Sequence, residues 1–252
     1  MGRIFAAAAL ALFLAGSAQA APLPPLTTWY WQLQGTVTQT YPAKVYDIDM
    51  EDNSSGLIAN LKAKGHTVVC YFSAGTWENW RSDASQFPAA VRGKAVSGWA
   101  GENWLDTRSQ VVRDLMAKRM DVAKAKGCDG LEPDNVDGYS NSPGFPLSMT
   151  TQIDYNKFLA AAAHQRGMVV ALKNATDLVS ALAPSFDFAI VEECFKYREC
   201  SQYSPFVTQG KAVLAAEYST YSETKCAKAK ALKFSLAFFS LNLNGRRYRS
   251  CL

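Results

Sequence analysis

The stretch SQVVRDLMAKRMDVAKAKGCDGLEPDNVDGY, Ser109 to Tyr139, reads as a helix, a stop, a strand and an acidic loop in direct succession. Val111, Val112, Leu115, Met116, Met120 and Val122 approximate a helical stripe, and Lys126-Gly127 supplies the stop. Gly127–Pro133 then reads as a strand that runs into Glu132, Asp134 and Asp137, with Asn135 and Tyr139 in the loop that follows. Residues two apart share a strand face, so Glu132 and Asp134 point the same way if the strand reaches that far. Pro-Asp-Asn is also good turn chemistry, so ordering of the loop is the competing reading.

The same unit recurs on both sides. Strand candidates lie at Trp29–Gln34, Lys44–Met50, Thr67–Ser73, Met168–Lys173, Phe186–Glu192, Ala212–Tyr218 and Lys233–Leu241, making eight with Gly127–Pro133. Alternating strands and helices mark βα units on a parallel sheet, and eight of them predict a single α/β domain, a (β/α)8 TIM-type barrel over residues 21–252. Residues 1–20 read differently: Arg3 opens the segment, Ile4 to Gly16 is apolar, and Ala18-Gln19-Ala20 is a small-x-small cleavage signal. This run is shorter than the roughly 20 residues a spanning helix needs. The expectation is an exported product, secreted or periplasmic, that begins at Ala21 and makes no stable membrane insertion.

Composition narrows the partners. Of 252 residues 48% are hydrophobic and 19% charged, which excludes a disordered chain. The net charge of +4 falls by one with Arg3 and contains no long basic run, so nucleic acid is not the expected partner. Barrel enzymes work at the carboxyl ends of their strands, and there the acids collect: Asp47, Asp49, Glu51 and Asp52; Glu132, Asp134 and Asp137; Glu192 and Glu193; Glu217. Those are ten of the chain's 22 carboxylates, all expected to face one mouth. Asp47 and Asp49 share a strand face, for substrate binding or for support behind it. Adjacent Glu192 and Glu193 must point to opposite sides, and alternation does not say which one faces the mouth.

Aromatic residues fall near the same rim, among them Trp29, Tyr30, Trp31, Tyr71, Phe72 and Tyr218. Most read as core; Trp77, Tyr139 and Tyr197 lie past strand ends and are the candidates for stacking on sugar rings. The two histidines, His66 and His164, stand before strands rather than after them, which disfavours a Ser-His-Asp machine or a His-rich zinc site and leaves carboxylates as acid and base. No cofactor and no metal are expected, although a carboxylate-liganded Ca²⁺ or Mg²⁺ hydrolase is an alternative, as is a carbohydrate-binding barrel without catalysis. Cys194 and Cys200 bracket a short loop and are expected to pair, as are Cys226 and Cys251; Cys70 and Cys128 are either buried small hydrophobes or a third pair.

WYWQLQG from Trp29, VYDIDM, CYFSAGTWE, GCDGLEPDNVD, ALKNA, VEECFKYREC and AAEYS together resemble glycoside hydrolase family 114, the endo-α-1,4-polygalactosaminidases. The resemblance covers most of the chain after residue 28. It implies a secreted enzyme that cuts inside α-1,4-linked galactosamine polymers, with Asp134 as nucleophile and Glu192, two residues before Cys-Phe, as general acid/base. Asp47, Asp49, Trp77, Glu132, Asn135, Asp137, Tyr139, Lys173, Tyr197 and Glu217 are the expected substrate-binding set, and Glu132 stands where family members often carry Asp. A cationic amino-sugar polysaccharide agrees with the acidic mouth; the enzyme is expected to act as a monomer. Intact-mass measurement of the exported protein should give a chain beginning at Ala21, lighter by six hydrogen atoms than its reduced form if all three cysteine pairs form; retention of residues 1–20 would defeat the export reading.

Overall fold

The computed structural model describes residues 21–252; residues 1–20, read above as a cleavable signal, lie outside the described residues. Eight parallel strands run in chain order around the molecule: β1 (Trp29–Gln32), β2 (Val45–Asp49), β3 (Thr67–Ser73), then, after an insertion carrying β4 (Thr76–Glu78), β5 (Arg92–Ala95) and β6 (Glu102–Leu105), β7 (Gly130–Asp134), β8 (Val169–Lys173), β9 (Phe188–Glu192), β10 (Val213–Glu217) and β11 (Ser235–Phe239). All eight predicted strands are present, most trimmed by a residue or more at their ends. The helices are α1 (Ser55–Ala63), α2 (Gln110–Lys126), α3 (Met149–Gln165), α4 (Val179–Leu182), α5 (Cys194–Tyr197), α6 (Ser204–Thr208) and α7 (Glu223–Ala231). The layer is thick beside β7 and thin beside β9 and β10.

Closure of the barrel departs from a regular ladder. A short ninth strand, β12 (Tyr248–Ser250), runs antiparallel along β11, and the seam to β1 is closed by side chains. The Trp29 indole N–H donates to the Ser235 carbonyl at 2.8 Å, and the Tyr248 hydroxyl donates to the Trp29 carbonyl at 2.8 Å. Trp29 and Trp31 pack edge-on against Phe239, and Tyr30 against Tyr248. Aromatic edges so arranged add to their area burial, so the run WYW is mainly a seal.

α2 stops as expected, at Gly127 in the left-handed conformation with φ 96°, which glycine adopts without penalty. Its buried stripe is Val112, Leu115, Met116, Arg119, Met120 and Ala123, whereas Val111 and Val122 are exposed. The residue that apolar periodicity misses is Arg119, whose guanidinium donates to the Ser73 carbonyl and to Asp83, tying the end of β3 to the insertion.

The two rims use carboxylates differently. On the amino-terminal rim Asp129 accepts from the Val68 N–H and Asp187 from the Val170 N–H, both strand-start ties that serve stability. His66 bonds the Ala43 carbonyl there and His164 bonds Asp187, so both histidines lie away from the opposite mouth. Three cysteine pairs are joined: Cys70–Cys128, Cys194–Cys200 and Cys226–Cys251. Chain entropy scales with the enclosed loop, so the first, spanning 58 residues, contributes about 4 kcal/mol and the second, spanning 6, about 2. Replacing Cys194 and Cys200 by Ser should therefore cost less in a urea melt than replacing Cys70 and Cys128, yet cost more activity, because it frees the segment after Glu192; the reverse ranking in both measurements would contradict this division.

Candidate active site

Lys173, the last residue of β8, is completely enclosed, and its ammonium reaches three carboxylates on two neighbouring strands. Glu132 lies at 2.8 Å, Asp134 at 3.3 Å and Glu192 at 3.3 Å. The ring of Trp31 lies beneath it at 4.6 Å. Burial works against the lysine's charge, but the three acids more than offset it and hold the ammonium firmly protonated. Each carboxylate is then fixed further. Asp134 Oδ1 accepts the Asn135 N–H at 2.8 Å, and Oδ2 has no hydrogen-bond partner among the described residues. Glu192 accepts from Asn174 Nδ2 at 2.9 Å and from the Tyr218 hydroxyl. Burial raises the proton affinity of Glu192, but Lys173, Tyr218 and Asn174 outweigh it and hold its carboxyl below the ordinary range.

The backbone makes these placements possible by turning sharply at the strand ends. Asn135 (φ 59°), Asn174 (φ 44°), Ala175 (φ 53°) and Glu193 (φ 54°) are all left-handed, a region that asparagine tolerates and alanine and glutamate enter at a cost of order 1 kcal/mol or more. Glu193 in this conformation also resolves the choice between the adjacent glutamates. Glu192 is the last strand residue and points to the mouth, while Glu193 turns outward to Lys196. Opposite Asn135, Gly75 is obligatory: a Cβ there would lie 1.6 Å from the Asn135 carbonyl oxygen.

Two cavities meet at this cluster, one of about 490 Å³ and one of about 480 Å³, sharing Asp137, Asn174, Glu192, Tyr218 and Leu241. Asp49, Asp134, Asn135 and Lys173 line the first, Tyr139 and Tyr197 the second, and Asp137 both. Burial and the neighbouring Asp134 push Asp137 up to about 6.

Four expected contact residues lie elsewhere. Trp77 donates its indole N–H to Ala84 and is covered by Arg92 at 4.7 Å, so it packs inside the insertion rather than on the cleft. Glu217 is buried, accepting from the Phe195 N–H and from Lys225, and so orders the loop after Glu192. Asp47 and Glu132 are fully buried below the cleft floor. The mouth is also less acidic than a count of carboxylates implies, because Arg81 takes both Asp49 and Glu78 at 2.8 Å. Among the described residues no group of three or more His, Cys, Asp or Glu side chains is arranged to hold a metal ion.

The family profile of glycoside-hydrolase family GH114 matches residues 12–251. The chain belongs to this family. Aspergillus fumigatus Ega3, solved as a crystal structure in complex with galactosamine, is 36% identical, with a TM-score of 0.87 over 94% of this chain and 100% of its own. Fold alone is shared with the PelA glycoside hydrolase domain of Pseudomonas aeruginosa (13% identity, TM-score 0.68, 88% and 97% covered) and with the α-galactosidase TtGalA of Thermus thermophilus (14%, 0.60, 86% and 58%). No curated protein sequence matches.

Sequence reasoning about this GH114 glycoside hydrolase missed the insertion between β3 and α2. It contributes Trp80, Trp99 and Trp104 to the first cavity, together with Glu78, Arg81 and Glu102. Trp80 is 53% exposed and Trp99 54%, and the gathering of four of the six tryptophans between Trp77 and Trp104 is the signal that the sequence carries. Asn174, inside the quoted ALKNA segment, was also passed over although it grips Glu192 through both its side-chain atoms. Tyr218→Phe should keep the ring's packing while removing one donor to the charged form of Glu192. Its carboxyl should titrate at higher pH by carbon NMR, with turnover down about tenfold or more; an unmoved titration would show that the hydroxyl contributes nothing to Glu192.

Proposed function

We propose that this GH114 protein is an exported endo-acting hydrolase of α-1,4-linked galactosamine-rich polysaccharide, with Asp134 as nucleophile and Glu192 as general acid/base. The observation that carries the reading is the pair of carboxylates joined to one ammonium where the two cavities meet. A polymer lying through both cavities presents an internal bond to the pair, which is endo cleavage. Asp134 attacks the anomeric carbon through its free Oδ2 while Glu192 gives a proton to the departing oxygen. Water, losing its proton to Glu192, then releases the sugar from Asp134.

Retention of configuration is supported by spacing. Both carboxylates stand 3.3 Å from the same nitrogen, so the bonded oxygens are separated by at most twice that. This suits the roughly 5 to 5.5 Å of a retaining pair better than the roughly 6.5 to 9.5 Å of an inverting one. One observation favours a reversed division of roles: Glu192 is held ionised below the ordinary range, which suits a nucleophile. The free oxygen of Asp134, set against the doubly engaged carboxylate of Glu192, favours the first.

Three features support the substrate. Ega3, at 36% identity, carries galactosamine in its crystal structure. Asp137, Asp177, Glu192, Glu193 and Glu199 line the second cavity, and no lysine or arginine does. Trp80 and Trp99 offer stacking faces on the other side. Export rests on the leader segment together with the three disulfides, which belong to an oxidising compartment. Among the described residues no helix is long and apolar enough to cross a membrane.

Asp134→Asn should lower turnover of a galactosamine polymer by roughly 10³-fold while leaving the fold intact, and Glu192→Gln by roughly 10²- to 10⁴-fold. Azide added to the Glu192 variant should yield a glycosyl azide of retained configuration; an inverted azide would reverse the two roles. Full activity of Asp134→Asn would defeat its assignment as nucleophile, and a wild type that binds the polymer without cleaving it would leave a binding barrel. With wild type, cleavage should weaken as salt rises to physiological strength, where screening reaches about 8 Å, and a flat response would shift selection from the acidic lining to stacking and hydrogen bonds.

A further inference from the structure

Beneath the cleft floor, Asp47 on β2 and Glu132 on β7 are both fully enclosed. Neither oxygen of Asp47 has a donor, and Glu132 Oε2 has none either; Lys173 bonds only Oε1 of Glu132. The two carboxyl side chains are nevertheless near enough for one to bond the other once either carries a proton. Two carboxylates without a proton cannot bond each other, and three donorless anionic oxygens inside a barrel would carry a desolvation cost that Lys173 offsets only in part. One proton between them removes both difficulties, because the protonated acid becomes the missing donor.

We infer that Asp47 and Glu132 share a single proton beneath Lys173, and that this neutralised pair is a positioning device that keeps the ammonium available to Asp134 and Glu192. With the proton present, the pair carries one negative charge and Lys173 is divided among three acids. Loss of the proton places a second negative charge under the ammonium, drawing it downward and raising the proton affinity of the two carboxylates above. The groups that face the pair are Lys173 on β8, Asp134 on β7, Tyr71 on β3 and Tyr218 after β10, with Glu192 on β9 bound to the same ammonium; Lys173 alone is cationic, and its charge favours ionisation. Burial works the other way: it pushes Glu132 up to about 7 and, followed by the charge of Glu132, Asp47 well above the ordinary range. The pair therefore retains its proton through the acidic range and into neutrality, and yields it on the alkaline side.

The shared proton can be tested without substrate, and its effect on the cleavage site rests on the hydrolase reading above. Infrared difference spectra of wild type and Asp47→Asn near neutral pH should contain the carbonyl stretch of a protonated, buried carboxyl in wild type and lose it in the variant. No such band in wild type, or the same band in the variant, overturns the shared proton. Stability gives a second reading. An acid with a raised pKa holds its proton in the folded state when the unfolded chain has lost it. Wild type should therefore lose stability as pH rises from the ordinary carboxylate range to about 7. The amide introduced by Asp47→Asn does not titrate, so the melting temperature of the variant should gain on wild type across that window; a constant difference counts against the proposal.

On a galactosamine polymer, Asp47→Asn should lose far less activity than Asp134→Asn, and the alkaline limb of its pH–rate profile should move to higher pH. A purely structural Asp47 would change the melt and leave the limb in place, and that result overturns the positioning role even if the band behaves as expected. If wild type cleaves no such polymer, the proposed substrate fails while the band and the melts still decide the shared proton.

Discussion

An ammonium with no exposure to water needs counter-charges close by, and the Lys173 ammonium has three at 2.8 to 3.3 Å. Removing one partner from such an arrangement typically costs about 3 to 5 kcal/mol, because what remains is a buried charge without compensation. The requirement constrains the sheet. β7, β8 and β9 must be adjacent and level at their carboxyl ends for Glu132, Asp134 and Glu192 to converge, and parallel pairing supplies this. β7 pairs with β8 at Gly130–Val169 and Leu131–Val170, below the site. Above it the strands are held together through Lys173 itself.

The same ends carry the strained backbone. Asn135, Asn174, Ala175 and Glu193 are left-handed where β7, β8 and β9 give way to loops, and the close approach of Asn135 to Gly75 admits no side chain. A barrel optimised for stability would not choose these conformations at three neighbouring strands. They aim carboxylates and amides into the mouth, and the cost is offset below by the aromatic seal at the seam and by three disulfides.

Eight strands, the end of α2 at Gly127, two of the cysteine pairs and the placement of Asp134 and Glu192 at one mouth were legible from periodicity, turn chemistry and the family resemblance. Burial depth along a strand was not. Asp47 and Asp49 share a face and look equivalent in sequence, yet one lies under the floor and the other lines the cleft in the grip of Arg81. Alternation reports direction, and depth depends on how far the neighbouring strands extend. Trp77 was misplaced for a related reason. Position after a strand end means the rim only where a loop follows, and here Thr76–Glu78 begins a second sheet that folds Trp77 inward and carries Trp80, Trp99 and Trp104 toward the cleft.

Charge illustrates the same gap between composition and field. Ten acids near strand ends suggest a uniformly negative mouth, but Asp49 and Glu78 are engaged by Arg81, Glu217 by Lys225, and Glu132, Asp134 and Glu192 by Lys173. In the second cavity Asp137, Asp177 and Glu199 face the opening with no cation in the lining, while the first combines indole faces with acids held by Arg81 and Lys173. Interactions between exposed charges fade over about 8 Å at physiological salt, so a ligand feels the local balance of the cavity it occupies rather than the chain's net charge of +4. A cation is therefore drawn more strongly to the arm lined by Asp177 and Glu199, and the flat face of a ring to the arm lined by Trp80 and Trp99, which gives the two sides of Glu192 different chemistry.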